Sequence, residues 1–349
     1  VPENAVFYDG SNGLQGHNKL TYMYAKTIYD IMKEVKAETG ERPMLWGRSG
    51  YAGSHAIPAA WAGDSSTHLN NHACILKAGL SAGMSGIMYW GFDMGGFYNT
   101  DHEGYECMPT DEEYIRSCQF GFLSPLSRCH GKTPREPWNY GKKAQEIFNT
   151  YNDFRHKLLP YLYTTAYQSS YYSVPMMRSM VMEFPHDLNC QYISLQYMLG
   201  DSLLVAPVFD QKELKVYLPE GTWVEFMTGE VVNGGRWIAP QVTLEDIPIY
   251  LRENSIVPML EKAPSDIEAK YEDLIVHMSI KDEINAVYFD DGFRGVFKAR
   301  KTDSLVIDTD MPVKAIVAYS VTPIASAVVN GVRRNVVRES ENKYRINLN

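Results

Sequence analysis

The sequence predicts a parallel α/β unit followed by all-β domains. Two observations carry that expectation. Over the first 187 residues, helical periodicity alternates with short apolar runs. Beyond them, short strand-like runs are separated by turn signals such as Glu220-Gly221, Asn233-Gly234-Gly235, Asp291-Gly292 and Asn330-Gly331. The 349 residues are 45% hydrophobic and 21% charged, enough apolar surface for a sizeable core.

Taken in order, Leu20, Met23, Tyr24, Ile28, Ile31, Met32 and Val35 recur at helical spacing and predict a helix over 19–38. Met44–Trp46 reads as a short strand that leads into a glycine-rich loop. A helix over about 72–82 and an apolar strand at Gly86–Trp90 follow. Next come a helix over 112–119 and a strand from Phe122 onward. A long helical pattern covers 144–171 through Phe148, Tyr151, Phe154, Leu158 and Leu162, with a kink expected at Pro160. Val174–Met182 reads as a fourth strand. Four strand–helix units make half of a (β/α)8 barrel, and an open parallel sheet is the alternative. The later runs, from Leu203–Val208 to Lys314–Tyr319, read as one or two sandwiches. A Pro-containing stretch at 258–265 is the candidate boundary between them. The expected domains are therefore 1–187, 188–262 and 263–349.

Composition excludes some function classes. Thirty-three basic against 42 acidic side chains give a net charge of −9, which argues against a nucleic-acid partner. No run of about 18 apolar residues exists, so no membrane span is expected. The five cysteines are odd in number and form no Cys-x-x-Cys pair. Reduced thiols and a cytoplasmic location are the simplest expectation.

Three strand ends carry candidate chemistry. The first loop runs Arg48-Ser49-Gly50, then Pro58, then Trp61-Ala62-Gly63-Asp64. Asp64 is a candidate general acid if its surroundings desolvate it. The competing reading is a cap for a helix beginning near Ser65. The next strand ends in Trp90-Gly91-Phe92-Asp93-Met94-Gly95-Gly96-Phe97, aromatics flanking an acid, which suits a sugar ring. The competing reading is a turn in which Asp93 bonds its own backbone. The glycine pair lacks Gly-x-Gly-x-x-Gly spacing, so no dinucleotide cofactor is expected. The third strand leads to Arg128-Cys129-His130. Two patterns compete for attention. Gly79-Leu80-Ser81-Ala82-Gly83 matches a serine-hydrolase elbow but lies late in a helical stretch, ahead of its strand. His68 and His72 stand at metal-ligand spacing, without a third ligand nearby, so no metal is expected.

Together these loops resemble glycoside hydrolase family 31, the retaining α-glucosidases and α-xylosidases. The resemblance rests on Arg48-Ser49 with Trp61-x-Gly63-Asp64, on Asp93-x-x-Gly96-Phe97, and on Ser124-Pro125 with Arg128-x-His130. His17-Asn18, Pro160-Tyr161-Leu162-Tyr163, Pro175-Met176-Met177-Arg178, Ala206-Pro207-Val208 and Gly221-x-Trp223 extend it along the chain. The α-xylosidase-like branch is the nearest. His55 departs from the family, which usually has Gln or another polar group there. The resemblance implies the C-terminal half of a (β/α)8 barrel followed by two β-sandwich domains. It implies Asp64 as acid/base, with Arg48 and His130 on the sugar hydroxyls. Trp61 and Phe97 would wall the subsite, and Asp93 would support it. It also implies that the nucleophilic Asp lies upstream of Val1, so that this chain alone is inactive. Asp9, the nearest acidic candidate, sits past the strand end in the family pattern and is not promoted to that role. The implied partners are an α-linked oligosaccharide or other α-glycoside, the N-terminal half of the same protein, and further copies of the chain. The alternatives are a non-catalytic carbohydrate-binding or structural portion of a multidomain protein, and a serine hydrolase using Ser81.

Overall fold

A computed structural model describes residues 1–100, 104–209, 213–265 and 271–348. Helix α1, Gly13–Thr39, opens on a capping box: the Asn12 side chain accepts from the Gln15 amide while Gln15 returns a bond to the Asn12 amide. It closes on Gly40 in the left-handed region, at φ 72°. Its face at Leu20, Met23, Tyr24, Ile31 and Val35 is exposed.

Four parallel strands follow: β1 Trp46–Gly47, β2 Ala59–Trp61, β3 Trp90–Met94 and β4 Leu126–Cys129, hydrogen-bonded in that order. Helix α2, Leu69–Met84, joins β2 to β3, and α3, Asp111–Phe122, joins β3 to β4. Between β1 and β2 there is only a single 3-10 turn, Ser54–Ala56. The elbow-like Gly79-x-Ser81-x-Gly83 pattern lies inside α2. Its glycines serve packing: a Cβ on Gly79 would stand 1.9 Å from the Trp90 ring, and one on Gly83 would stand 3.1 Å from Pro175. Ser81 is therefore on no strand-to-helix turn, and the serine-hydrolase reading is withdrawn.

The expected helix over 144–171 is two helices, α4 Gly141–Lys157 and α5 Leu159–Tyr172. Pro160 sits in the first turn of α5, where its missing N–H has no bond to lose. The strand expected at Val174–Met182 does not join the barrel sheet. Met177–Ser179 (β5) instead pairs antiparallel with Tyr197–Leu199, in a six-stranded sheet with Leu203–Val205, Ile249–Arg252, Thr222–Glu225 and Val231–Asn233. A buried apolar run carries no record of its pairing direction, which is why it reads as a barrel strand. The half-barrel keeps four strands because Ala59–Trp61, expected as loop, is one of them. The first sandwich sheet thus begins inside the span 1–187. Pro258, expected at a boundary, lies within strand Ser255–Met259 opposite Val276. That strand edges a five-stranded sheet, where a proline is tolerated. A second five-stranded sheet, containing Glu283–Asp290 and Phe293–Lys301, packs on it across a shared apolar core.

The barrel half and the first sandwich are laced together. Arg116 on α3 donates to the carbonyls of Asp246 and Thr243 at 2.6 and 2.8 Å, and Gln119 donates to that of Leu244 at 3.0 Å. Tyr151 on α4 donates to the Glu245 carbonyl at 2.7 Å. Under them lies an aromatic cluster, with Phe92 stacked on Phe120 at 4.6 Å and Phe209 edge-on to Phe120 at 5.5 Å.

His72 is buried against Ser117 Oγ at 2.8 Å, and His277 lies between Phe226 and Tyr319. Burial holds both imidazoles down at about 4, helped at His277 by Lys343 and Arg345. An unfolded chain binds these protons near the ordinary histidine value, so stability present above about pH 6.5 is lost as pH falls toward 4. The urea midpoint is expected to drop over that window, and His277→Phe should flatten part of the slope. An unchanged slope in that variant would remove His277 from the account.

Candidate active site

Because β1 to β4 run parallel, their C-terminal ends open on one edge. Arg48 follows β1, Trp61 ends β2, Asp93 lies in β3, and Arg128 lies in β4 directly opposite Asp93. Gly63 takes φ 87°, a conformation that favours glycine, and turns the chain between Trp61 and Asp64. The Ser65 carbonyl accepts from the amides of Phe97 and Tyr98 at 2.8 and 3.1 Å, fastening the β2 and β3 loops to each other. Gly96 lies flat on this seam: a Cβ there would stand 2.6 Å from Thr67 Cα.

Asp64 does not cap a helix. Helix α2 begins at Leu69 and its N-cap is His68. The Asp64 carboxylate instead faces Arg48, with Nη2 to Oδ2 at 3.7 Å, and remains partly open to solvent. The Arg48 guanidinium lies over the Trp61 indole at 5.1 Å. Arg128 lies over the same indole at 5.0 Å and over Trp46 at 4.7 Å. Trp61 is thus less a bare wall than a platform for two guanidinium groups. Phe97 and His130 come together with ring centres 5.5 Å apart, and the Phe97 carbonyl accepts from the Lys132 amide at 2.8 Å. The structure therefore brings together all six residues singled out from sequence.

Asp93 is fully buried. It makes no turn with its own backbone through its side chain. Its Oδ1 accepts from Arg128 Nε at 2.7 Å, and its Oδ2 has no hydrogen-bond partner among the described residues. Burial pushes its carboxyl above the ordinary value, against the pull of Arg128, His130 and the Trp61 indole. Arg128 is the residue that sequence reasoning left out of the site. Its signal was present: it lies in β4, two residues before His130, at the end of the strand that leads into the site.

Arg128→Met is expected to leave a buried carboxylate unsatisfied and cost about 1–3 kcal/mol. In a urea-denaturation cycle with Asp93→Asn, the double variant should lose much less than the sum of the singles. Strict additivity would show that the two side chains are not coupled.

His68 Nδ1 donates to Glu113 Oε1 (2.8 Å), and His72 faces Ser117, so their spacing serves structure. Among the described residues no cluster of three His, Cys, Asp or Glu could hold a metal ion, and no helix is long and apolar enough to cross a membrane. All five cysteines are free thiols.

These loops stand at the C-terminal ends of four parallel strands, half of a (β/α)8 barrel. Residues 2–165 match the glycosyl hydrolases family 31 TIM-barrel domain and residues 173–257 match the glycosyl hydrolase family 31 C-terminal domain. The chain belongs to glycoside hydrolase family 31. An alpha-xylosidase of Emericella nidulans is 34% identical over 295 residues, 81% of this chain and 36% of that protein. An isomaltosyltransferase of Sporosarcina globispora is 33% identical over 269 residues, 73% of this chain and 24% of that protein. Among solved structures, a cycloalternan-forming enzyme from Listeria monocytogenes superposes with a TM-score of 0.83 at 25% identity, covering 99% of this chain and 37% of that one. The chain thus spans between 24% and 40% of the length of such curated relatives.

Proposed function

We propose that the protein carrying this chain is a retaining α-glycosidase acting on terminal α-linked glucose or xylose. The observation that carries this reading is Asp64 facing Arg48 at 3.7 Å, on the edge where Asp93, Phe97, Arg128 and His130 converge. In the first step a carboxylate attacks the anomeric carbon while Asp64 gives its proton to the departing glycosidic oxygen. In the second, Asp64 takes a proton from water, which attacks the same carbon and releases the carboxylate. The two carboxyl groups of such a pair stand about 5–5.5 Å apart. We do not assign Asp9 as that nucleophile: its carboxylate is taken up by Lys19 and Ser11, each at 2.6 Å, in the turn that precedes α1. The nucleophile comes from the part of the protein that precedes this chain, and the relatives' greater length supports that assignment. Arg48 and His130 bind sugar hydroxyls, while Asp93 and Trp61 hold the guanidinium groups in place.

The α-xylosidase relative favours hydrolysis, with water as acceptor. The isomaltosyltransferase relative favours a second reading, in which a sugar hydroxyl replaces water in the second step. Proton NMR of the first-formed product from aryl α-glucosides and α-xylosides tests the common part: the α-anomer should form first. Release of the β-anomer would overturn the retaining mechanism. Chromatography of products at high sugar concentration separates hydrolysis from transfer.

Arg48→Ala and His130→Ala, in the full-length protein, each leave sugar hydroxyls unpaired. Hydrogen bonds to charged groups contribute about 1.5–3 kcal/mol, so kcat/KM should fall roughly 10- to 150-fold. The loss should be the same for every aglycone. A defect that grows with leaving-group pKa would place that residue in proton transfer instead.

A further inference from the structure

The turn after β3, Gly95-Gly96-Phe97, has little side chain to hold it. Gly95 and Gly96 both take the left-handed region, at φ 85° and 73°, and Phe97 is the first side chain to follow. Its position is therefore set through the backbone. The Gly96 amide donates to the Asp93 carbonyl at 2.9 Å, and the buried Arg135 donates from Nε to the Gly96 carbonyl, also at 2.9 Å. The amide and carbonyl of Phe97 are fastened to the backbones of Ser65 and Lys132. The remaining amide, that of Gly95, donates to a side chain, Ser117 Oγ, at 2.8 Å.

Ser117 lies on α3 and reaches His72 on α2, with Oγ and Nε2 2.8 Å apart. Neither residue has any exposed surface. The proton positions follow from the partners. His72 Nδ1 stands 3.1 Å from the His68 carbonyl, which only accepts, so the ring proton is on Nδ1. Burial keeps the imidazole neutral, holding it down at about 4, so Nε2 is bare and accepts from the Ser117 hydroxyl. A lone pair on Oγ then takes the Gly95 N–H. The bonds run in one direction, Gly95 to Ser117 to His72 to His68, and each polarises the next. Two apolar side chains would fill this space between α2 and α3 without the cost of burying polar groups. The polar pair does what they could not: it supplies an acceptor for an amide behind the site.

We propose that His72 and Ser117 are positioning residues that fix, through the Gly95 amide, the turn setting Phe97 against His130, a role that rests on the glycosidase reading of that site. Both are buried away from substrate. Without Ser117 Oγ the Gly95 N–H has no acceptor, and the turn shifts to find one. A displacement of about 1 Å can cost on the order of a hundredfold in rate, so Ser117→Ala in the full-length protein should lower kcat/KM about ten- to a hundredfold. The loss is measured on aryl α-glucosides and α-xylosides, at a temperature where circular dichroism shows the variant folded, and should be equal for every aglycone. The decisive readout is a cycle with Phe97→Ala. In that background Ser117→Ala should cost no more than about twofold, because the ring it positions is gone. Multiplicative losses would show general loosening and overturn the proposal, as would full activity in Ser117→Ala. A defect that grows with leaving-group pKa would tie the pair to Asp64 and overturn it too. His72 decides the matter if Ser117→Ala does not fold. His72→Phe should lower kcat/KM, while His72→Gln, whose amide oxygen accepts from Ser117, should stay within about threefold of the wild type. Equal losses in the two His72 variants would overturn the proposal. If the wild type turns over no α-glycoside, the glycosidase reading falls and takes this role with it. If the wild type is active and the variants match it, only the positioning role falls.

Discussion

Asp64→Ala in the full-length protein is expected to cut turnover of natural disaccharides about 10²- to 10⁴-fold, the usual worth of a positioned general acid. The effect should depend on the leaving group. An aryl glycoside with an acidic phenol departs without a proton, so its glycosylation step should be largely spared. Its deglycosylation step should still be slow, because no base activates water. Azide needs no base, and adding it should restore turnover and yield the α-glycosyl azide. The geometry makes this test clean: Asp64 caps no helix and its one ion pair among the described residues is with Arg48 at 3.7 Å, so the substitution leaves the fold in place. Equal losses on activated and unactivated substrates, without azide rescue, would remove Asp64 from the acid/base role.

The 349-residue chain by itself is expected to give no turnover at all. Its barrel sheet ends at β1 on one side and β4 on the other, and neither outer edge has a strand partner among the described residues. Open edges template association with other chains. The exposed apolar face of α1, at Leu20, Met23, Tyr24, Ile31 and Val35, adds surface that seeks cover. Expressed alone, the chain should partition into the insoluble fraction or self-associate. Co-expression with the N-terminal half should restore both solubility and hydrolysis of p-nitrophenyl α-glucoside and α-xyloside. Turnover by the chain alone that disappears in Asp9→Asn would overturn the assignment of the nucleophile to the preceding segment.

Much of the site was legible because barrel chemistry sits just past strand ends, so a short apolar run followed by Arg48, Asp93 or His130 announces itself. Arg128 was visible only as a neighbour of His130. Its part depends on the cross-strand register with Asp93, which one strand's sequence does not contain. Ala59–Trp61 escaped notice because three residues, two of them alanine, are too few to show a period. Met177–Ser179 was legible as a strand, but the sheet that would receive it lies some twenty residues on. Pro258 looked like a break, since only its place on a sheet edge makes it harmless.

The lacing of α3 onto the loop at 243–246 has a consequence for how the protein is made. Arg116 and Gln119 leave the ribosome some 125–130 residues before the carbonyls that satisfy them. At about 5–20 residues per second, that interval is on the order of ten seconds. During it, Arg116 and Gln119 have each other, at 3.1 Å, but none of the loop carbonyls that complete their bonding. The half-barrel therefore cannot mature as an early, finished unit while the rest is translated. Slowing translation between codons 120 and 240 should lengthen the exposure and raise the fraction captured by chaperones, whereas slowing it after codon 260 should not.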